Sequence, residues 1–266
     1  MEALSFARRF QRWPVRTCAL LALLALPHRG RSQDNYEIQV YASETVAPGR
    51  TMVELHSNYT ADGQTAQVNG VLPDQHAFHE TLEITHGFTP WFETGFYVFS
   101  SIQPHEGWQW VGDHVRPRVR VPEEWHCPVG LSLSTEIGYV SPSYSEDTWT
   151  WELRPIIDKQ WGRWYVALNP AFEKSLHGLN SAQGWGFAPS AKLSFGLTKV
   201  VAIGAEYYSS LGEVGQFGSW SEQQHQIFPT IDLDVSPDWE INFGVGFGLT
   251  HSTDQLIVKL ILGYRF

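Results

Sequence analysis

The sequence predicts an all-β fold: an antiparallel transmembrane β-barrel, of twelve strands, that follows an N-terminal signal peptide. Three observations lead to this prediction. Apolar and polar residues alternate with a period of two in segment after segment, with no convincing amphipathic helix between them. The chain opens with the layout of a secretory leader. It closes on a segment whose apolar face ends in Tyr264 and Phe266.

Residues 1–32 form the predicted signal peptide. Four arginines give a basic start, residues 17–26 an apolar core of ten residues, and residues 27–32 a polar exit. A membrane-spanning helix would need roughly 20 apolar residues, so this core is too short to be one. Cleavage is expected near Ser32.

The mature chain is strongly acidic. Removing residues 1–32 takes away six of 18 basic residues and one of 28 acidic residues, which leaves 12 against 27 and a net charge of −15. This balance argues against nucleic acid as a partner. Cys127 is then the single cysteine, so no intramolecular disulfide can form. His126 is next to it, but two candidate ligands are too few for a zinc site. Neither a metal nor a cofactor is predicted.

Twelve segments alternate over a length that can cross a membrane as tilted strands. They are residues 50–59, 75–86, 91–102, 108–121, 129–140, 148–159, 162–172, 185–196, 200–211, 222–234, 239–250 and 255–266. A thirteenth strand would put the two ends of the barrel on opposite sides of the membrane. Residues 33–49 are therefore expected to be a periplasmic or lumen-inserted segment that ends at a Pro48–Gly49 turn, with the barrel domain spanning residues 50–266.

Loops and tryptophans agree with this layout. Tight turns such as 87–90 and 197–199 alternate with longer connections such as 60–74, 173–184 and 212–221, the pattern of outer-membrane barrels with the short side in the periplasm. All eleven tryptophans of the mature chain fall near predicted strand ends. They are expected to form two aromatic girdles at the membrane interfaces.

If the apolar parity faces lipid, the other parity lines the lumen and carries most of the charge. One face of a predicted strand carries three arginines: Arg116, Arg118 and Arg120. Their charges would repel each other unless carboxylates such as Glu136 and Glu152, on the next two strands, form ion pairs with them. Two interpretations stay open: an ion-pair network that plugs and stiffens the barrel, or a charged constriction that selects a solute. The candidate residues for either role are Arg116, Arg118, Arg120, Glu136, Glu152 and Arg154.

Glycines and prolines add two expectations. Gly244, Gly246 and Gly248 alternate within a strand, so they are no phosphate loop and are expected to leave room in the lumen. Five prolines lie on the lipid-facing parity of predicted strands, where they remove ladder donors: Pro117, Pro155, Pro170, Pro189 and Pro229. They mark bulges or bends, or a side opening toward the membrane.

No catalytic residue is predicted, and the chain is not expected to be an enzyme. The His-x-Ser pair of outer-membrane phospholipases is missing from the sequence. Ser175 and His177 are the nearest substitute, and they fall in a predicted outside loop. Sequence proximity by itself does not make a nucleophile and its base.

The terminal strand with Tyr264 and Phe266 resembles the assembly signal of bacterial outer-membrane barrels. Residues 87–93, 116–125, 152–164 and 243–266 resemble uncharacterised transporter-like barrels of Gram-negative bacteria, similar to the family named for the MetA pathway of phenol degradation. The resemblance implies a cell outer-membrane location, with outer-membrane lipid and the assembly machinery as partners. It implies a channel for passive passage of a small solute. The alternatives are a plugged structural or interaction barrel without conductance and, less favoured, a lipid hydrolase.

Overall fold

The computed structural model describes residues 35–104 and 106–266, which form a closed barrel of twelve antiparallel strands. Each strand pairs with the next along the chain, and the last pairs with the first. In chain order they are β1 (Thr51–Asp62), β2 (Phe78–Thr89), β3 (Phe92–Gln103), β4 (Gly107–Arg120), β5 (Gly130–Val140), β6 (Asp147–Trp161), β7 (Trp164–Gly178), β8 (Gly186–Gly196), β9 (Val201–Ser210), β10 (Gln224–Leu233), β11 (Trp239–Gly248) and β12 (Leu256–Arg265). The prediction of a twelve-stranded antiparallel barrel is confirmed. The predicted signal peptide lies outside the described residues.

Side chains alternate between lipid and lumen along every strand because successive residues of a β-strand point to opposite faces. On β1 the apolar Leu55 is 40% exposed, whereas its polar neighbour His56 is fully buried inside. This is the reverse of a soluble β-protein, and it gives the barrel an apolar outer surface. No helix among the described residues is long and apolar enough to cross a membrane.

Several element boundaries differ from the predicted ones, and three of the differences follow from pairing with a neighbouring strand. β2 runs on to Thr89, because Gly87 and Thr89 still pair with β3, so the turn is residues 90–91. β7 continues to Gly178, since residues 173–178 pair with the start of β6. The loop between β9 and β10 contains a short hairpin, Gly212–Glu213 with Gln216–Phe217, that pairs with the start of β8. Tertiary pairing, which local alternation does not report, extends each of these elements.

The two ends of the barrel differ in the length of their connections. One end holds the start of β1, the end of β12 and mostly short turns, such as 162–163 and 197–200. The other end holds the longer loops, including 63–77 and 211–223. Because outer-membrane barrels keep short turns in the periplasm, we call the first the periplasmic end and the second the outer end. The long periplasmic exception, residues 121–129, contains a single 3₁₀ turn at Glu123–Trp125.

Tryptophans are exposed at both ends of the barrel, as two interfacial girdles require. At the outer end they are Trp108, Trp110, Trp149, Trp151 and Trp220, and at the periplasmic end Trp91, Trp125, Trp161, Trp164 and Trp239. Trp185 packs edge-on against Trp151, with ring centroids 4.9 Å apart. The girdle pattern is therefore present in the folded barrel.

Three of the five strand prolines lie side by side. Pro170 on β7 is the direct partner of Pro189 on β8. The β6–β7 pairing is interrupted between Leu153 and Ile157, the stretch that contains Pro155. This part of the wall consequently lacks several ladder donors at one height. Whether the wall opens there stays a prediction.

Candidate functional site in the barrel lumen

The lumen is occupied by the chain's own N-terminal segment. Residues 35–47, here called the plug, run inside the barrel from one end to the other. At the outer end, the side-chain amide of Asn35 donates hydrogen bonds to Asp74 (3.3 Å) and Asp254 (2.6 Å), which belong to two outer loops. At the periplasmic end the chain leaves through a turn in which the Gly49 amide donates to the Gly87 carbonyl, 2.8 Å away.

The plug pairs with no strand of the described chain, and polar side chains of the wall bond to its backbone instead. Asn169 holds Tyr41 from both sides, accepting from its amide at 2.7 Å and donating to its carbonyl at 3.0 Å. Other wall side chains also bond to the plug backbone. Asn58, Thr81 and Lys259 donate to the carbonyls of Asn35, Tyr36 and Ile38, and Asp158 and Glu93 accept from the amides of Ser43 and Val46. Because a buried backbone group without a partner is costly, these inward-facing polar residues do for the plug what a ladder does for a strand.

Apolar contacts fix the upper part of the plug. Ile38 and Val40 belong to a buried cluster with Ala167, Tyr208, Phe228 and Ile257 of the wall. The Phe228 ring occupies the space beside Gly246, where an added Cβ would lie 2.2 Å from it. The lumen room expected from the glycines of β11 is therefore filled by an aromatic ring rather than left open.

Two of the three predicted arginines grip the plug. Arg116 forms an ion pair with Glu83 on β2, and its guanidinium lies 4.8 Å from the centre of the Tyr41 ring. Arg118 pairs with Glu93 on β3 at 2.7 Å and donates to the plug carbonyls of Ala42 (3.0 Å) and Glu44 (2.6 Å).

The expected partners of these arginines were wrong. The carboxylates that answer them come from strands before β4 in the chain, not from Glu136 and Glu152 on the strands after it. The register explains the choice, because Glu93 and Arg118 are direct cross-strand partners. Arg120 sits at the periplasmic rim and pairs with Glu123, whose side chain is 80% exposed, so it belongs to neither a constriction nor the buried network.

The other candidates, Glu136, Glu152 and Arg154, lie on β5 and β6, the two strands that follow β4. Glu136 accepts from His114 Nδ1 at 2.5 Å, and Arg154 makes two bonds of 2.7 Å to Glu152. Arg154 also stacks over Tyr41, at 5.0 Å from the ring centre. The structure thus gathers Arg116, Arg118 and Arg154 around one plug residue and places Glu136 and Glu152 beside it.

Sequence reasoning missed several members of this site: Tyr41, Glu93 and Asn169. Glu93 shares its strand face with Tyr97 and Phe99, which are fully buried inside the barrel. These aromatics break the polar-inside pattern, so the alternation of β3 gives no clear inward face. Tyr41 and Asn169 carry no charge and stand out only once the plug is seen in the lumen.

A cavity of about 820 Å³ lies beside the outer part of the plug, which lines it with Asn35, Glu37 and Gln39, and it reaches the loops of the outer end. Carboxylates dominate the charged groups that line it: Glu37, Asp74, Glu136, Glu146, Asp147, Glu152, Glu173 and Asp254. Glu136, Glu152 and Glu173 are successive partners on β5, β6 and β7 and form a row across the wall. Arg154 is the single arginine or lysine in this lining, as far as the described residues go.

Ser175 and His177 do not form a catalytic pair. Both lie on β7 rather than in the predicted outside loop. The Ser175 hydroxyl is buried and donates to Asp147 at 2.7 Å, while the exposed His177 contacts the Thr148 hydroxyl at 2.7 Å. Ser175 bonded to Asp147 in this way does not have His177 as its base.

The carboxyl groups of Asp74 and Asp254, at the outer opening of the cavity, make the contact between their two loops pH-dependent. Burial, together with the nearby Asp254 carboxylate, raises the pKa of Asp74 to about 8. The contact between the Asp74 and Asp254 loops is therefore strongest when Asp74 carries a proton. It weakens as the pH rises from 3.8, the ordinary pKa of an aspartate, to about 8.

We expect loop 63–77 to become more mobile over that pH interval. A spin label on Ala66→Cys, in a Cys127→Ser background, would report the change between about pH 5 and about pH 9. The Asp74→Asn variant keeps a neutral side chain at every pH and should remove the dependence. Equal label mobility at both pH values in the unsubstituted loop would contradict the assignment.

Comparison with known proteins gives no match by sequence. The sequence matches no protein-family model and no curated protein. The likeness is structural. The COG4313 outer membrane channel from Pseudomonas putida F1 aligns with a TM-score of 0.56 at 12% identity, over 86% of this chain and all of that one.

Two porins align in the same way. The NanC porin gives a TM-score of 0.53 at 6% identity, over 80% of this chain and 98% of its own. The KdgM porin in complex with disordered oligogalacturonate gives a TM-score of 0.51 at 13% identity, over 81% of this chain and 99% of its own. This chain shares the fold of outer-membrane channel barrels. The predicted fold of an outer-membrane barrel is confirmed, whereas the resemblance to the MetA-pathway family stays a prediction.

Proposed function

We propose that this protein is an outer-membrane channel for passive passage of small hydrophilic solutes, neutral or cationic, and that the plug is its gate. The observation that carries the proposal is the carboxylate-lined cavity that reaches the outer end and borders the plug. A solute pathway needs a large polar cavity of this kind. A barrel that served only as a scaffold would not need it, because side chains could fill the same volume.

The charge of the lining supports the choice of solute. The lining has eight carboxyl groups and one guanidinium, so it stays negative even where Asp74 is protonated. A negative potential in a confined space concentrates cations and repels anions. The KdgM porin structure contains an oligogalacturonate, an acidic oligosaccharide. A cavity of this composition would repel such a solute.

The plug is built to be displaced as a unit. It makes no ladder with the wall, and each side-chain hydrogen bond to it contributes about 0.5–1.5 kcal/mol where both partners are neutral and about 1.5–3 kcal/mol where one is charged. The alternative, a permanently plugged structural barrel, is supported by the number of these contacts. The two functions differ in whether the barrel conducts once the plug has left.

Ion selectivity in planar bilayers tests the proposal. Under a KCl gradient, we expect the reversal potential of open channels to show a preference for K⁺. The Glu136→Gln/Glu173→Gln variant removes two carboxylates of the wall row and should reduce this preference. Glu124→Gln, an exposed glutamate in the periplasmic turn, is the matched control and should leave it unchanged. Anion preference in the native chain would overturn the solute class.

A further inference from the structure

A second cluster of polar side chains lies deeper in the lumen, against the periplasmic half of the wall. Glu54 and His56 are two residues apart on β1 and point inward, and Glu83 on β2 is the direct partner of Glu54. All three are buried, with at most 5% exposure. One donor atom from each lies within 4.8 Å of the other two.

The hydrogen bonds within this cluster are incomplete. Both ring nitrogens of His56 lack a hydrogen-bond partner among the described residues, and so does Glu83 Oε2. His56 Nε2 lies 3.6 Å from Glu83 Oε2, which is too long for a hydrogen bond. Arg116 satisfies only the other oxygen of Glu83. Buried donors and acceptors without partners are costly. A ligand that bound all three side chains would therefore stabilise the arrangement.

We propose that Glu54, His56 and Glu83 bind a divalent transition-metal ion of the zinc class. Metal bonds of about 2.0–2.2 Å place tetrahedral ligand atoms about 3.3–3.6 Å apart, and His56 Nε2 lies 3.6 Å from Glu83 Oε2. The imidazole selects a transition ion over Mg²⁺ or Ca²⁺, which prefer oxygen ligands alone. Three protein ligands leave a fourth position open.

The plug reaches the same place. The Gln39 amide nitrogen lies 3.4 Å from Glu54 Oε1. The side-chain carbonyl oxygen of Gln39 is a further buried atom with no partner in the part of the chain that the structure describes. An ion at this site would neutralise the Glu54–Glu83 repulsion and connect β1 and β2 to the plug. The inference concerns metal binding and does not depend on the proposed channel function.

Zinc binding to the full mature chain, folded in detergent micelles and stripped with a chelator, tests the proposal. We expect isothermal titration to find one tight Zn²⁺ site, and His56→Gln to weaken it more than about tenfold. His79→Gln is the matched control, because His79 is also buried and inward-facing, and its ring nitrogens have no hydrogen bonds within residues 35–104 and 106–266. It should leave the tight site intact.

Three outcomes would overturn the proposal: no Zn²⁺ site in the native chain tighter than in His56→Gln, an equal loss in His79→Gln, or Ca²⁺ bound as tightly as Zn²⁺. Should His56→Gln fail to fold, Glu54→Gln provides a second ligand variant with the same expectation. Zn²⁺ should also raise the melting temperature of the native chain and not that of either ligand variant.

Discussion

A chain without residues 35–46 should conduct ions continuously, with a time-averaged current well above that of the native barrel, because the gate is missing. The deletion removes every plug residue that contacts Asn169, Arg118 or Lys259 and keeps the turn that leads into β1. The wall groups that lose a plug partner then face a water-filled lumen. Because water can satisfy them, the barrel should stay folded while the pathway opens.

Single-channel recording in planar bilayers is the measurement. A variant in which residues 35–46 are replaced by a Gly-Ser sequence of the same length is the control, because it keeps the chain but loses the side chains that anchor it. If contacts hold the gate closed, this variant should also conduct. A plug-free barrel that folds but stays silent would support the plugged structural alternative and contradict the channel.

Replacing Arg116 by leucine should lower the free energy of unfolding by about 3–5 kcal/mol, the usual cost of removing one partner of a buried ion pair. Arg116 is buried, as are its carboxylate partners Glu83 and Glu93, and it also stacks on Tyr41 of the plug. The substitution leaves Glu83 without a counter-charge. Urea unfolding of the folded barrel, followed by tryptophan fluorescence, measures the change.

Arg120→Leu is the matched control on the same strand and the same face. Its partner Glu123 is mostly in solvent, so the change should cost no more than about 1 kcal/mol. Adding Glu83→Gln to Arg116→Leu should recover part of the lost stability, because it removes the uncompensated charge. Equal losses for Arg116→Leu and Arg120→Leu would mean that the buried network does not stabilise the barrel.

The fold was largely predictable because each strand of a lipid-facing barrel carries its own signal. Alternation along residues 50–59 or 255–266 places the strand to within a few residues of β1 and β12. β7 shows the limit of that signal. Residues 173–178 belong to the strand only because β6 offers them a partner, and a pairing partner cannot be read from a single segment.

The site was predictable in its residue types and not in its contacts. The inward parity correctly located Arg116 and Arg118, but their carboxylate partners depend on cross-strand register. Glu54, His56 and Glu83 illustrate the same point. They are unremarkable members of two alternating strands, and they become a cluster only when β1 and β2 pair.

By itself, the sequence determined an acidic, lipid-facing barrel of twelve strands, because the period-two pattern and the aromatic strand ends are local properties. Only the tertiary structure decided what the N-terminal segment does. Residues 35–47 alternate much like a strand, but the pairing of β1 with β12 closes the ladder and leaves no edge for them to join. Their backbone groups instead bond to polar side chains inside the lumen, which makes the segment a plug.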